Sequence, residues 1–93
     1  MRSIMMRDGK IPSVYPCLFP VKVIGEHGPE FEAAVLAVMS GYVEDLSEEK
    51  IRRRTSGGGK YLSLTIRVVA RNLEHLEKLY AELNARDEVI MVI

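Results

Sequence analysis

Ninety-three residues, 47% of them hydrophobic and 28% charged, give a mean hydropathy near zero; they suit one small globular domain and leave no room for a second. Thirteen basic and thirteen acidic residues cancel, so no net field draws the chain to nucleic acid or to an anionic membrane, and any such attraction must be local. Cys17 is the only cysteine, which excludes an internal disulfide and fits a reducing compartment, while the longest apolar run, residues 33–39, is too short to cross a bilayer.

Residues 1–14 follow neither a helical nor a strand period and are interrupted by Gly9 and Pro12, so the expectation is a flexible N-terminal arm followed by a single domain over residues 15–93. The first ten residues carry Arg2, Arg7, Asp8 and Lys10 among methionines, unlike an export signal, and the cytoplasm is the expected location. From Cys17 onward Phe19, Val21 and Val23 alternate with Pro20 and Lys22, the period of a half-buried strand that ends at Gly25. Pro29 suits a first helical turn, and Glu30 and Glu32 complement the helix dipole. Phe31, Val35, Val38, Met39 and Tyr42 then form one apolar face, with Glu32 turned outward and the helix ending near Gly41.

Residues 49–56, short and charged, read as an edge strand carrying Arg52, Arg53 and Arg54, and 56–59 supply a glycine-rich turn. Residues 61–70 alternate most cleanly, with Leu62, Leu64, Ile66 and Val68 on one side and Tyr61, Ser63, Thr65 and Arg67 on the other. Asn72 is a natural cap for a second helix whose stripe is Leu73, Leu76, Tyr80 and Leu83, widened by Leu79. Residues 89–93 read as a last strand that is apolar on both faces, its outward pair being Ile90 and Val92 or their neighbours. This strand order predicts an α+β, ferredoxin-like βαββαβ sandwich: a four-stranded antiparallel sheet with both helices on one face, the first and third strands central.

Tyr15-Pro16, Phe19, Lys22-Val23, Gly25, Pro29-Glu30, Ser56, Gly59, Tyr61, Ser63, Leu79-Tyr80, Glu82-Leu83, Val89 and Met91-Val92 occur in an order and spacing that resembles the YbeD-like family of small bacterial proteins. The chain departs from the family pattern after the first helix, where relatives tend to read His-Ala-Pro and this sequence reads Gly41-Tyr42-Val43. The resemblance implies a fold similar to ACT-type regulatory domains, which bind amino acids and control metabolic enzymes. It implies a regulatory role without naming an activity.

The residues themselves show no catalytic constellation. Gly57-Gly58-Gly59-Lys60 lacks the leading glycine and following hydroxyl of a phosphate-binding loop, since Arg54 and Tyr61 hold those places, and it precedes a strand; a hairpin turn explains it. Cys17, His27 and His75 lack the spacing of a metal site, so no metal or cofactor is expected: His27 reads as a loop residue, His75 as a solvated helical one and Cys17 as a small core hydrophobe. Charge, by contrast, is segregated. Residues 26–49 hold seven acids and no Lys or Arg, and residues 50–71 hold seven bases and no acid.

On the expected fold Lys22, Arg52, Arg54 and Arg67 share the uncovered sheet face with Tyr61. The main expectation is therefore a non-enzymatic regulatory or adaptor domain that binds a protein partner, such as a metabolic enzyme, through this face. Edge charges that merely keep sheets from stacking are the plain alternative. A second reading, implied by the ACT likeness, is an amino-acid or other small-metabolite sensor using the loop Gly25, Glu26, His27 and Gly28; Glu26, Glu30 and Glu32 would oppose an anion there. A third is weak RNA binding, disfavoured because Tyr61 alone offers a stacking surface. The apolar last strand also invites a homodimer, unless Ile4, Met5, Met6 and Ile11 of the arm cover it.

Overall fold

The computed structural model describes residues 12–93, so the expected arm falls, through residue 11, outside the described residues. The elements are β1 (Cys17–Glu26), α1 (Pro29–Met39), a single 3-10 turn (Glu48–Lys50), β2 (Ile51–Thr55), β3 (Tyr61–Ala70), α2 (Leu73–Asn84) and β4 (Val89–Val92). The sheet order is β2-β3-β1-β4 with every pair antiparallel, which is the expected ferredoxin-like sandwich.

β1 and β3 pair without a shift over ten residues, from Cys17 opposite Ala70 to Glu26 opposite Tyr61. Side chains alternate across a strand, so this register sends Val21 and Val23 to the same side as Leu64, Ile66 and Val68. All five are fully buried, and Val35 and Met39 of α1 with Leu76, Leu79 and Leu83 of α2 close the core over them. α2 begins where the sequence places it. The Asn72 side chain accepts the backbone N–H of His75 at 2.8 Å, satisfying one of the donors a helix start leaves open.

Three expectations need correction. α1 ends at Met39, two residues early, because the N–H groups of Tyr42 and Val43 both fold back onto the Met39 carbonyl. Tyr42 thus leaves the helical stripe and Val43 becomes the buried plug. The Tyr42 hydroxyl donates to the Glu82 carboxylate, and burial, with this hydrogen bond second to it, pushes the phenol up to about 12. The second correction is in β4, where a register shift beside Ile24 and Gly25 breaks the alternation. Val89 and Val92 both pack on the core, and the outward pair is Ile90 and Met91. Third, His75 is half-buried: its ring lies 5.4 Å from that of Tyr42, and its Nδ1 accepts the Arg71 N–H at 3.3 Å.

Gly25 has a steric duty. A Cβ there would overlap the Phe31 ring and lie 2.7 Å from the Glu88 carbonyl, so the glycine lets α1 and the β4 approach close on β1. Gly57 faces open space, and Gly59 takes a left-handed φ of +74° in the β2–β3 turn. Gly25→Ala is expected to cost about 1–3 kcal/mol in urea unfolding and Gly57→Ala less than about 0.5 kcal/mol; equal losses would contradict this account.

Burial and the Arg71 charge lower the His75 pKa, because both disfavour the imidazolium. Below the ordinary histidine range near 6.5 the unfolded chain binds the proton more readily than the folded one, so stability falls as pH drops. The unfolding midpoint is expected to decline between pH 7.5 and 5.5, and His75→Gln is expected to flatten that decline. An unaltered pH slope in the variant would show that His75 does not carry it.

Candidate functional site

The same alternation that builds the core determines the opposite side of the sheet. Arg52 pairs with Thr65, which pairs with Lys22; Arg54 pairs with Ser63, which pairs with Ile24; Arg67 pairs with Pro20, and Tyr61 with Glu26. Lys22, Arg52, Arg54, Arg67 and Tyr61 therefore share one uncovered face, as the sequence predicts. Strands about 4.8 Å apart put the Arg52 and Lys22 backbones about 10 Å from each other, with Thr65 between. At that distance in water two like charges repel by only roughly 0.4 kcal/mol, so the fold tolerates the cluster without neutralising it.

Arg53 makes the contrast. It points to the helix side with Ile51 and Thr55, opposite Leu64, where its Nη2 lies 2.6 Å from Glu32 of α1 and its Nη1 2.7 Å from Glu48. Glu32, expected to turn outward, is half-buried and held by this contact. The guanidinium keeps the Glu48 carboxyl below its ordinary range, and the two carboxylates push the Arg53 pKa upward in turn. These are the ion pairs among the described residues, and neither includes a cation of the open face.

Two open-face side chains are anchored by other means. Arg67 donates from Nη2 to the Glu49 carbonyl at 3.2 Å, which ties the strand to the 3-10 turn. Lys60 sets its ammonium 5.4 Å from the centre of the Tyr61 ring, so one cation already occupies the aromatic surface a base would need. A shallow hollow of about 230 Å³ lies among Lys22, Ile24, Arg54, Tyr61 and Ser63. A second, of about 600 Å³, runs along the edge past Pro20, Arg52, Thr65 and Arg67. A third, of about 520 Å³, opens at the far end around Leu18 and Val69. Sequence reasoning passed over this last one. Leu18 and Val69 alternate outward and were legible as exposed, but their neighbour Tyr42 arrives from a connection with no period.

The loop Gly25, Glu26, His27 and Gly28 is stitched to the β2–β3 turn: the His27 N–H donates to the Lys60 carbonyl at 2.8 Å, and its Nδ1 lies 3.2 Å from the Gly59 carbonyl. Beside it is a hollow of about 410 Å³ whose rim carries Glu26, Glu30, Asp87 and Glu88. Four carboxylates there oppose the acid group of an amino acid or a phosphate. Among the described residues, no cluster of His, Cys, Asp and Glu is arranged to hold a metal ion, and no helix is long and apolar enough to cross a membrane.

Comparison with known proteins agrees with the geometry of the fold. A family model described as a protein of unknown function, DUF493, matches residues 13–93. The UPF0250 protein of Paraburkholderia phymatum is 35% identical over 79 residues, covering 85% of this chain and 89% of the relative. That of Neisseria meningitidis is 37% identical over 79 residues, covering 85% and 87%. Among solved structures, protein HP0495 from H. pylori superposes with a TM-score of 0.69 at 18% identity, covering 99% of this chain and 98% of the other. The ACT domain from GTP pyrophosphokinase of Chlorobium tepidum gives a TM-score of 0.65 at 17% identity, with 83% of each chain covered. At such identities the two structures speak to the fold alone. The chain belongs to the DUF493 family of UPF0250, or YbeD-like, proteins, with a ferredoxin-like sandwich similar in fold to the ACT domain.

Proposed function

We propose that this chain is a small regulatory or adaptor domain that binds an acidic surface of a protein partner through the open face of its sheet. The observation that carries the reading is the fate of the arginines of β2. Arg53, on the helix side, is bound by two carboxylates, whereas Arg52 and Arg54, one residue away on either side, face outward with Lys22 and Arg67 and have no ion-pair partner among the described residues. Unpaired cations on a rigid sheet need no rearrangement to meet carboxylates, and the charge pattern favours fast, salt-sensitive association. The regular spacing also suits a protein surface better than a compact ligand, because the cations span three strands.

The ACT-type fold supports a regulatory reading in general terms. The loop of Gly25, Glu26, His27 and Gly28 supports a metabolite sensor less well, since its hollow is ringed by carboxylates. RNA binding is weakly supported: Tyr61 is the lone aromatic on the open face among the described residues, and Lys60 stands over its ring.

The test is capture from native extract followed by titration of the purified partner. Wild type is expected to bind with an affinity that falls as salt rises from 50 to 300 mM. The double variant Arg52→Glu, Arg54→Glu is expected to bind at least tenfold more weakly, about 1.4 kcal/mol. Undiminished binding by the charge-reversed protein, or capture of RNA alone, would overturn the proposal.

A further inference from the structure

The hollow at the far end of the open face differs in kind from the rest of that face. Its floor is the cross-strand pair Leu18 and Val69, which leave 60% and 56% of their surface in water. Apolar groups of this size gain free energy when they are covered. Around this floor stand Lys50, Arg67 and Arg71, with Glu44 the one carboxylate on the rim. Arg67 and Val69 follow at a step of two along β3, which puts Arg67 on the same side as the floor, and Arg71, just past the end of the strand, also lines the hollow.

The walls are held in place by hydrogen bonds and a ring contact. The Arg67 guanidinium is bonded to the Glu49 carbonyl, which fixes its position beside Lys50. The Arg71 backbone is bonded to His75, and the Tyr42 wall is held through its hydroxyl by Glu82 and through its ring by His75. A volume of about 520 Å³ lies within the roughly 300–1,000 Å³ typical of small-molecule sites. Three cations against one carboxylate set the preferred charge, and the leucine and valine set the preferred body.

We infer that this hollow is a binding site for a small amphipathic anion: a carboxylate, sulfonate or phosphate head attached to a compact apolar body. The apolar body covers Leu18 and Val69, and the acidic head lies toward Arg67, Arg71 and Lys50. The site shares Arg67 with the proposed partner face, but its floor is apolar, its ligand is a free small molecule, and Val69 and Arg71, on which its test rests, are not among the residues of that face. Either can fail without the other.

The probe is 8-anilinonaphthalene-1-sulfonate, an anion of this kind whose emission rises in apolar surroundings, titrated into the folded full-length chain and mapped by amide chemical shifts. Saturable binding is expected, with shifts centred on Leu18, Val69 and Arg71. Arg71→Glu and Val69→Glu, each checked for native unfolding midpoints, are expected to weaken it at least tenfold. Two such variants keep the test open should one fail to fold. Arg86→Glu, the same charge change at the other end of α2, is expected to stay within twofold. The uncharged N-phenyl-1-naphthylamine and inorganic sulfate, each supplying half of the ligand, are expected to bind at least tenfold more weakly than the intact anion. Equal binding by either half, unaltered binding by both folded variants, shifts centred elsewhere, or Arg71-dependent retention on phosphatidylglycerol vesicles in place of the soluble dye would overturn the inference.

Discussion

The unbroken ten-residue pairing of β1 with β3 is the constraint on which the remaining structure rests. A shift of one residue would exchange the two faces of a strand, sending Val21 and Val23 into water and Lys22 into the core. The burial of five fully covered side chains from these strands stabilises the register, and each is worth roughly 1.5–3 kcal/mol relative to exposure. Against that sum the mutual repulsion of a few surface cations is small. The core decides the register, and the cations are carried to the open face as a consequence.

Arg53 shows how sharply this consequence is felt. Three consecutive arginines have nearly the same chemistry, yet pairing with β3 places the middle one beside Leu64 and its neighbours beside Thr65 and Ser63. The middle residue meets α1, whose Glu32 lies over the edge of the sheet, and joins it to Glu48 in the 3-10 turn. The outer two meet no helix because the second layer covers only one side. The ion pairs between the acidic and the basic segment thus fall on a single residue among those described, and the other arginines of β2 stay unpaired. A surface ion pair adds little to stability, so the value of Arg53 lies in fixing where α1 and the turn sit against β2.

The parts of this molecule legible in the sequence are those governed by a period. The limits of β3, the Asn72 cap and the membership of the open face all follow from alternation or from the hydrogen-bonding needs of a helix start. Where a local event interrupts the period, the reading goes astray. Tyr42 belongs by spacing to the α1 stripe, but the chain turns back at Met39 and delivers the ring to His75 and Glu82 on the neighbouring helix. Val89 and Val92 fall on one side because of a bulge against Gly25, and a bulge leaves no mark in a run of uniformly apolar residues. The cationic site was visible for the first reason, and the amphipathic hollow was hidden for the second.

That division bears on what each end of the open face can recognise. At the Arg54 and Tyr61 end, hydroxyl-bearing Ser63 and Thr65 lie between charges, and the surface is shallow. On the proposed reading, binding there would depend on matching charges over an extended area, which would favour a broad partner and be weakened by salt. At the Leu18 and Val69 end, the connection after α1 rises beside the sheet and makes the surface concave. A concave apolar floor shields a charged head from water and strengthens its attraction to nearby guanidinium groups. Arg67 lies between the two ends, tethered to Glu49, and borders both the concave hollow and the edge hollow beside Arg52. A ligand that engaged Arg67 from the concave side would compete for the same guanidinium that an acidic partner meets from the flat side, so occupancy of one end would weaken the other through a shared charge, without any movement of the sheet.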